Sequence, residues 1–161
     1  MNKNIFIYSI ALALATVLMF SSSCKKDDDD PSNTDNITGK NFVMTAWTID
    51  PPVTIQGVSY SNMFTFMPDC SKDDITIFNA DGTMTLDEGA TKCDAGDPQT
   101  SSGTWSFVDN ESKLSTIVDG ETQILDIIEV TDNTLKVSSE ETEDFGDGEQ
   151  TYTNTITFSA N

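Results

Sequence analysis

Thr151-Tyr152-Thr153-Asn154-Thr155-Ile156-Thr157-Phe158 (TYTNTITF) is the stretch that decides the fold. Tyr152, Asn154, Ile156 and Phe158 fall on one side, and Thr151, Thr153, Thr155 and Thr157 on the other. A period of two belongs to a β-strand, whose successive Cβ atoms point to opposite faces of the pleat. One face is dry and one wet, as in an antiparallel sheet with water on one side. The spacing therefore predicts a strand over Gln150 to Ser159.

Working back from it, shorter runs of the same kind recur every eight to twelve residues, separated by turn chemistry. Phe42 to Asp50 reads as a first strand stopped by Pro51-Pro52. Residues 53–71 form a long connection that holds Tyr60, Met63, Phe64, Phe66 and Met67, and either contains a helical turn or acts as a lid. Asp74 to Phe78 and Thr83 to Glu88 flank Asn79-Ala80-Asp81-Gly82, where glycine accepts the positive φ of a tight hairpin. Thr104 to Val108 and Leu114 to Val118 surround Asp109-Asn110-Glu111. Asp119-Gly120 leads into Glu121 to Val130, and Thr134 to Glu141 precedes the last strand across Gly146-Asp147-Gly148. Such a series predicts an all-β chain: an antiparallel up-and-down meander of about eight strands closing into a barrel, which removes exposed edges. A two-sheet sandwich shares the pattern. The side chains expected to point inward are Trp47, Ile75, Ile77, Met84, Leu86, Trp105, Phe107, Leu114, Ile124, Ile128, Leu135, Val137, Ile156 and Phe158.

The first 23 residues have a different character. Lys3 precedes an apolar run, Ile5 to Phe20, which is 16 residues long and ends at Ser21-Ser22-Ser23. That is shorter than the ~20 residues a helix needs to cross a bilayer, so a cleaved leader is expected over a signal anchor. Lys25-Lys26-Asp27-Asp28-Asp29-Asp30 follows, whose charges cannot be buried and suit a solvated tether. We read residues 1–23 as a lipoprotein signal peptide, 24–36 as an acidic tether and 37–161 as one domain. Without the leader 138 of 161 residues remain, with seven of the eight cations and all 27 acids, for a net charge of −20. This is enough for one domain with a real core. Such a surface repels nucleic-acid phosphates, and no nucleic-acid partner is expected.

Two resemblances carry further. The small residues end on Cys24 in a manner that resembles a lipobox, with Ser21 where leucine is commoner, which implies cleavage before Cys24 and acyl chains such as palmitate on this residue. The Lys-Asp run resembles the signal that some Gram-negative bacteria use to send lipoproteins outward. It implies an outer-membrane protein held by lipid and facing the cell exterior, with the periplasmic face as the alternative. From Ile37 onward the chain resembles the lipocalin-like domains of bacterial surface lipoproteins. The matching segments are Gly39-Lys40-Asn41-Phe42, Met44-Thr45, Thr48-Ile49-Asp50-Pro51, Cys70-Ser71-Lys72-Asp73-Asp74, Phe78-Asn79-Ala80-Asp81-Gly82-Thr83, Glu88-Gly89-Ala90-Thr91-Lys92-Cys93-Asp94, Gly103-Thr104-Trp105 and Thr134-Leu135-Lys136-Val137. The resemblance implies a lipocalin-like barrel, and a shape more than a defined activity.

What the composition lacks narrows the chemistry. The chain has no histidine and no arginine. It is thus without the commonest general base and metal ligand, and without the planar fork that grips carboxylates and phosphates. Serines and threonines abound, but nothing in the sequence activates them as nucleophiles. No phosphate loop or dinucleotide fingerprint is present. We expect no enzyme, no cofactor and no metal. Cys70 and Cys93 are the cysteines left after Cys24, and an even pair in an exported domain reads as a disulfide. Acidic residues cluster around it (Asp69, Asp73, Asp74, Asp94, Asp97) and at the last hairpin (Glu140, Glu141, Glu143, Asp144, Asp147, Glu149), without the spacing of a calcium loop. Trp47, Phe64, Phe66, Trp105, Phe107 and Tyr152 are the candidate ligand-binding residues, if the barrel is hollow. Eight strands leave an interior that side chains either fill or share with one small ligand. Two functions remain: a monomeric lipoprotein binding a small apolar or amphipathic molecule, or an accessory surface protein with a packed barrel whose loops contact proteins or glycans.

Overall fold

Among the described residues, nine antiparallel strands make a single sheet, and eight of them close it into a barrel. The computed structural model describes residues 32–146 and 148–161. The leader, Cys24, most of the expected tether and Asp147 lie outside the described residues. The elements are a short helix α1 (Asn33–Ile37), then β1 (Asn41–Ile55), β2 (Val58–Asn62), β3 (Ile75–Phe78), β4 (Thr83–Asp87), β5 (Thr100–Val108), β6 (Lys113–Val118), β7 (Glu121–Val130), β8 (Thr134–Asp144) and β9 (Glu149–Ala160). Strands β3 to β9 pair in sequence, β1 pairs with β3, and β1 closes the barrel on β9 from Phe42↔Ala160 to Asp50↔Thr153. The sandwich alternative is thereby excluded. Strand β2 stands outside the closed set, against the far half of β1.

The closing seam explains why TYTNTITF is so regular. Its inward residues meet β1 as Phe158↔Met44, Ile156↔Trp47 and Asn154↔Ile49. Met44 and Trp47 could not share a face under strict alternation. A bulge between Met44 and Ala46 absorbs the extra residue, a common way to bend a strand around a barrel.

Pro51 and Pro52 do not end the first strand, as the sequence suggested. Strand β1 continues to Ile55, and the prolines fall where its pairing with β2 jumps from Thr48↔Asn62 to Val53↔Tyr60. Their missing N–H groups are not needed in an irregular stretch. Beyond Asp50 the Gln150 side chain takes over the ladder: Thr54 N donates to its Oε1, and its Nε2 donates to the Thr54 carbonyl, each at 2.8 Å. The 53–71 connection is therefore mostly ordered hairpin, turned by Gln56-Gly57 at φ 51° and 78°, followed by 3-10 turns at Phe64–Phe66 and Asp69–Ser71.

Folded structure also begins earlier than Ile37. Ser32 caps α1, its Oγ accepting from Asp35 N (3.1 Å) while Asp35 Oδ2 accepts from Ser32 N (3.3 Å), a reciprocal capping box. The helix delivers Ile37, fully buried, into the core beside Phe42, Phe78 and Trp105. Residues 33–36 thus belong to the domain and not to the tether.

The main core joins Ile37, Phe42, Phe78, Met84, Trp105, Leu114, Leu135 and Val137. Ile49, Val53 and Tyr152 form a second cluster where the β1–β2 and β8–β9 hairpins extend past the barrel, with Tyr60 and Phe145 against it. Two strands present the face opposite to the one expected. In β7, Ile124 and Ile128 are 57% and 52% exposed, while Leu125 and Ile127 pack on the core. Leu125 stands opposite buried Leu114, and Asp126 pairs outward with Lys113, so the ion pair and the leucines together fix the register. In β3, Thr76 opposes buried Phe42 and Phe78 opposes buried Met84, which puts Ile77 on the outer side.

Candidate functional site

The antiparallel order gives the barrel two unlike ends. At one, the β3–β4, β5–β6 and β7–β8 turns gather with α1 and the aromatic core. Here Trp105 lies edge-on to Phe78 (5.4 Å between centroids) and to Phe107 (5.5 Å), and its indole N–H donates to the Asn79 carbonyl at 3.0 Å. That end is filled. The other end receives the β4–β5 loop, the 3-10 turns and the Cys70–Cys93 disulfide, whose Cα atoms are 5.2 Å apart.

Between the ends the barrel is hollow. A cavity of about 280 Å³ is walled by Met44, Phe78, Met84, Leu86, Leu114, Val118, Leu125, Leu135, Val137, Ile156 and Phe158, with Thr76, Thr116 and Gln123 as its polar groups. Predominantly apolar walls with a few polar groups are the usual make-up of a small-molecule site. A vestibule of about 310 Å³ lies against it and shares Met44, Thr76, Leu86 and Phe158. Its remaining lining is Met67, Ser71, Asp74, Ile75, Asp87, Glu88 and Ser101. The disulfide holds one wall of this mouth by tying the Asp69–Ser71 turn to the β4–β5 loop.

The vestibule is acidic. Burial first, then the charges of Glu88, Asp73 and Asp87, push the Asp74 carboxyl above the usual carboxylate range. Asp74 Oδ1 and Asp73 Oδ1 are sealed from solvent without a hydrogen-bond partner. The other Asp73 oxygen accepts from Ala90 N (3.0 Å), and Asp87 Oδ1 accepts from Gly89 N (2.9 Å) and Gln99 Nε2 (2.7 Å). Among the described residues no group of three or more ligating side chains is placed to hold a metal ion.

The structure places none of the six aromatic candidates on the cavity wall. Trp47 points inward on β1 and donates from Nε1 to Asn154 Oδ1 at 2.9 Å. Trp105 and Phe107 pack edge-on against each other at the α1 end, where both also line an open surface groove with Thr34 and Asp109. Phe64 lies under the Lys72 ammonium at 5.7 Å, and Phe66, 63% exposed, packs edge-on against Tyr60 beside β2. Tyr152 sits in the second cluster with its hydroxyl 3.2 Å from Glu141 Oε2; burial, then that carboxylate, raises its pKa. The wall is made instead by aliphatic side chains and two other aromatics, Phe78 and Phe158, with Thr76, Thr116 and Gln123. Their signal lay in strand parity: Leu114, Thr116 and Val118 share one face of β6, and Gln123 and Leu125 oppose it from β7.

A sequence profile of the family described as lipocalin-like domain matches residues 32–137. The match runs from the cap of α1 into β8, and the closing strand β9 lies beyond it. No curated protein matches the chain.

Proposed function

The chain belongs to the lipocalin-like domain family, and on that premise we propose that it is a non-catalytic, lipid-anchored envelope protein whose barrel binds one small apolar or amphipathic molecule. The observation that carries this reading is the apolar cavity of about 280 Å³ at the barrel centre, beside a second space at the mouth. A barrel of this size is either filled by its own side chains or leaves room for one small ligand. This one is filled at the α1 end only. Anchoring is supported by the leader and Cys24, and the Lys-Asp run after it supports an outer-membrane location facing the exterior, with the periplasmic face as the alternative. A monomer suffices, since the barrel closes on its own strands.

Native mass spectrometry of the protein purified from its own host tests the binding function. A small molecule recurring at one per chain is the expected result; repeated preparations carrying none, with no apolar probe binding either, would sink it. A Cys24→Ser variant tests the anchor, and is expected to lose palmitate labelling and leave the membrane fraction.

A second reading, an accessory surface protein that contacts proteins or glycans through its loops, has one observation in its favour. Phe66 and Val58 are exposed beside Tyr60 at the β1–β2 projection. Binding of a glycan or protein that Phe66→Ser abolishes, in a barrel that takes up no small molecule, would favour it.

A further inference from the structure

The barrel is apolar inside and negative at its entrance, and the two features adjoin. We propose that the ligand is a cationic amphiphile, a molecule with an apolar body and one protonated amine, whose body fills the barrel and whose ammonium meets Asp74 and Glu88 in the vestibule. This inference rests on the ligand-binding function proposed above and names the chemical class of the ligand.

Cavity and vestibule share Met44, Thr76, Leu86 and Phe158, so the two spaces adjoin, and the proposed ligand reaches from one into the other past these side chains. The inner space of about 280 Å³ holds ~9 water-sized groups at ~30 Å³ each, which suits a chain of eight to ten carbons. The head of such a molecule would lie among Asp74, Asp87 and Glu88, the only charged side chains lining the vestibule. Asp87 is already engaged by Gly89 N and Gln99. Asp74 is not: its Oδ1 is sealed from water and unpartnered, which is costly for a carboxylate. The four carboxylates of Asp73, Asp74, Asp87 and Glu88 also repel one another, raising the Asp74 pKa on top of the effect of burial. An ammonium beside Asp74 and Glu88 would cancel that repulsion. A carboxylate or phosphate head would add to it, and a neutral head would leave it in place. An ordinary fatty acid is therefore the wrong ligand for this mouth.

The test uses three probes of equal length, decylammonium, decanol and decanoate, titrated calorimetrically into the purified protein at neutral pH. Decylammonium is expected to bind at least tenfold tighter than decanol, with decanoate weakest. Asp74→Asn should bring decylammonium to the level of decanol while leaving decanol unchanged. Glu88→Gln carries the same expectation if Asp74→Asn does not fold. Glu143→Gln, on β8 and not among the vestibule-lining residues, should keep the preference, which separates a local effect from the attraction of a chain of net charge −19. Equal binding of all three probes, or a preference that survives in both mouth variants, overturns the cationic head while leaving an apolar ligand standing. Binding of none overturns the ligand-binding function itself.

Discussion

Replacing Gly103 by alanine should strain the barrel wall at one identifiable point. Gly103 lies in the middle of β5, opposite Met84 on β4 and Val118 on β6, and its φ is not in the left-handed region. Alanine therefore meets no backbone conformational penalty there, and only space is at issue. A Cβ at this position would overlap the Ile117 carbonyl oxygen deeply, and would lie 3.3 Å from its carbon and 3.0 Å from Val118 Cγ2. Two of these three atoms are backbone, so relief requires β5 and β6 to separate. Overpacking a well-fitted interior costs about 1–3 kcal/mol, and a backbone neighbour puts this case at about 3 kcal/mol. For a domain of this size that is roughly a 10 °C fall in Tm. The control is Gly120→Ala. Gly120 has φ 85° and nothing within 4 Å of a Cβ, so it is charged only the left-handed penalty of about 1–2 kcal/mol. Urea denaturation of the two variants, with amide exchange across β5–β6, separates the effects. Only Gly103→Ala should speed exchange of that ladder. A loss below about 0.5 kcal/mol for Gly103→Ala would refute the close approach of the two strands.

Three further outcomes are expected. Because the Asp74 carboxyl is raised in the folded protein, the folded state binds the extra proton between the unfolded and folded pKa values, and stability falls as pH rises through that window. Asp74→Asn should therefore raise Tm at neutral pH, with the gain vanishing as pH drops below the unfolded value; a Tm difference independent of pH would contradict it. Asn154→Ala removes the acceptor of the Trp47 indole N–H inside the wall and should cost about 1–3 kcal/mol, with a shift in tryptophan emission. An unchanged spectrum and midpoint would show that the bond is dispensable. Joint replacement of Cys70 and Cys93 by alanine opens a loop of 23 residues' separation and should cost about 3 kcal/mol by denaturant titration, while loosening amide protection around Ser71. A loss under about 1 kcal/mol would show the mouth to be held by other contacts.

Much of the barrel was legible because its signals are local. The Asp-Gly and Asn-Gly-like turns mark where a chain can reverse, and Asn79–Gly82 does so: Thr83 N donates to Asp81 Oδ1 at 2.9 Å, and Gly82 takes φ 83°. What escaped was structure without hydrophobic alternation. The start of β5 (Thr100–Gly103) and the tip of β8 (Thr142–Asp144) are polar, yet both are full strand because β4 and β9 pair with them. Strand β2 and the run of β1 through Pro51-Pro52 escaped for the same reason. Long-range pairing leaves no mark in a short polar segment.

The candidate site divides in the same way. Cys70 and Cys93 could be paired from the sequence because few cysteines leave few choices, and the apolar character of the barrel face could be read from its period. Which apolar residues face a void could not. The six aromatics drew attention by size, but size favours the filled end and the outer projections. The hollow is lined mostly by middle-sized aliphatics, with Phe78 and Phe158, whose inward direction depends on register. Likewise Asp87 and Glu88 come to Asp73 and Asp74 only because β3 and β4 are paired. The sequence by itself determined an all-β chain of antiparallel strands and a cysteine pair, since turn chemistry and side-chain period act between near neighbours. The tertiary structure alone decided that the sheet closes into a barrel, hollow between its ends and acidic at its mouth, because a cavity is a property of side chains distant in sequence that fail to meet.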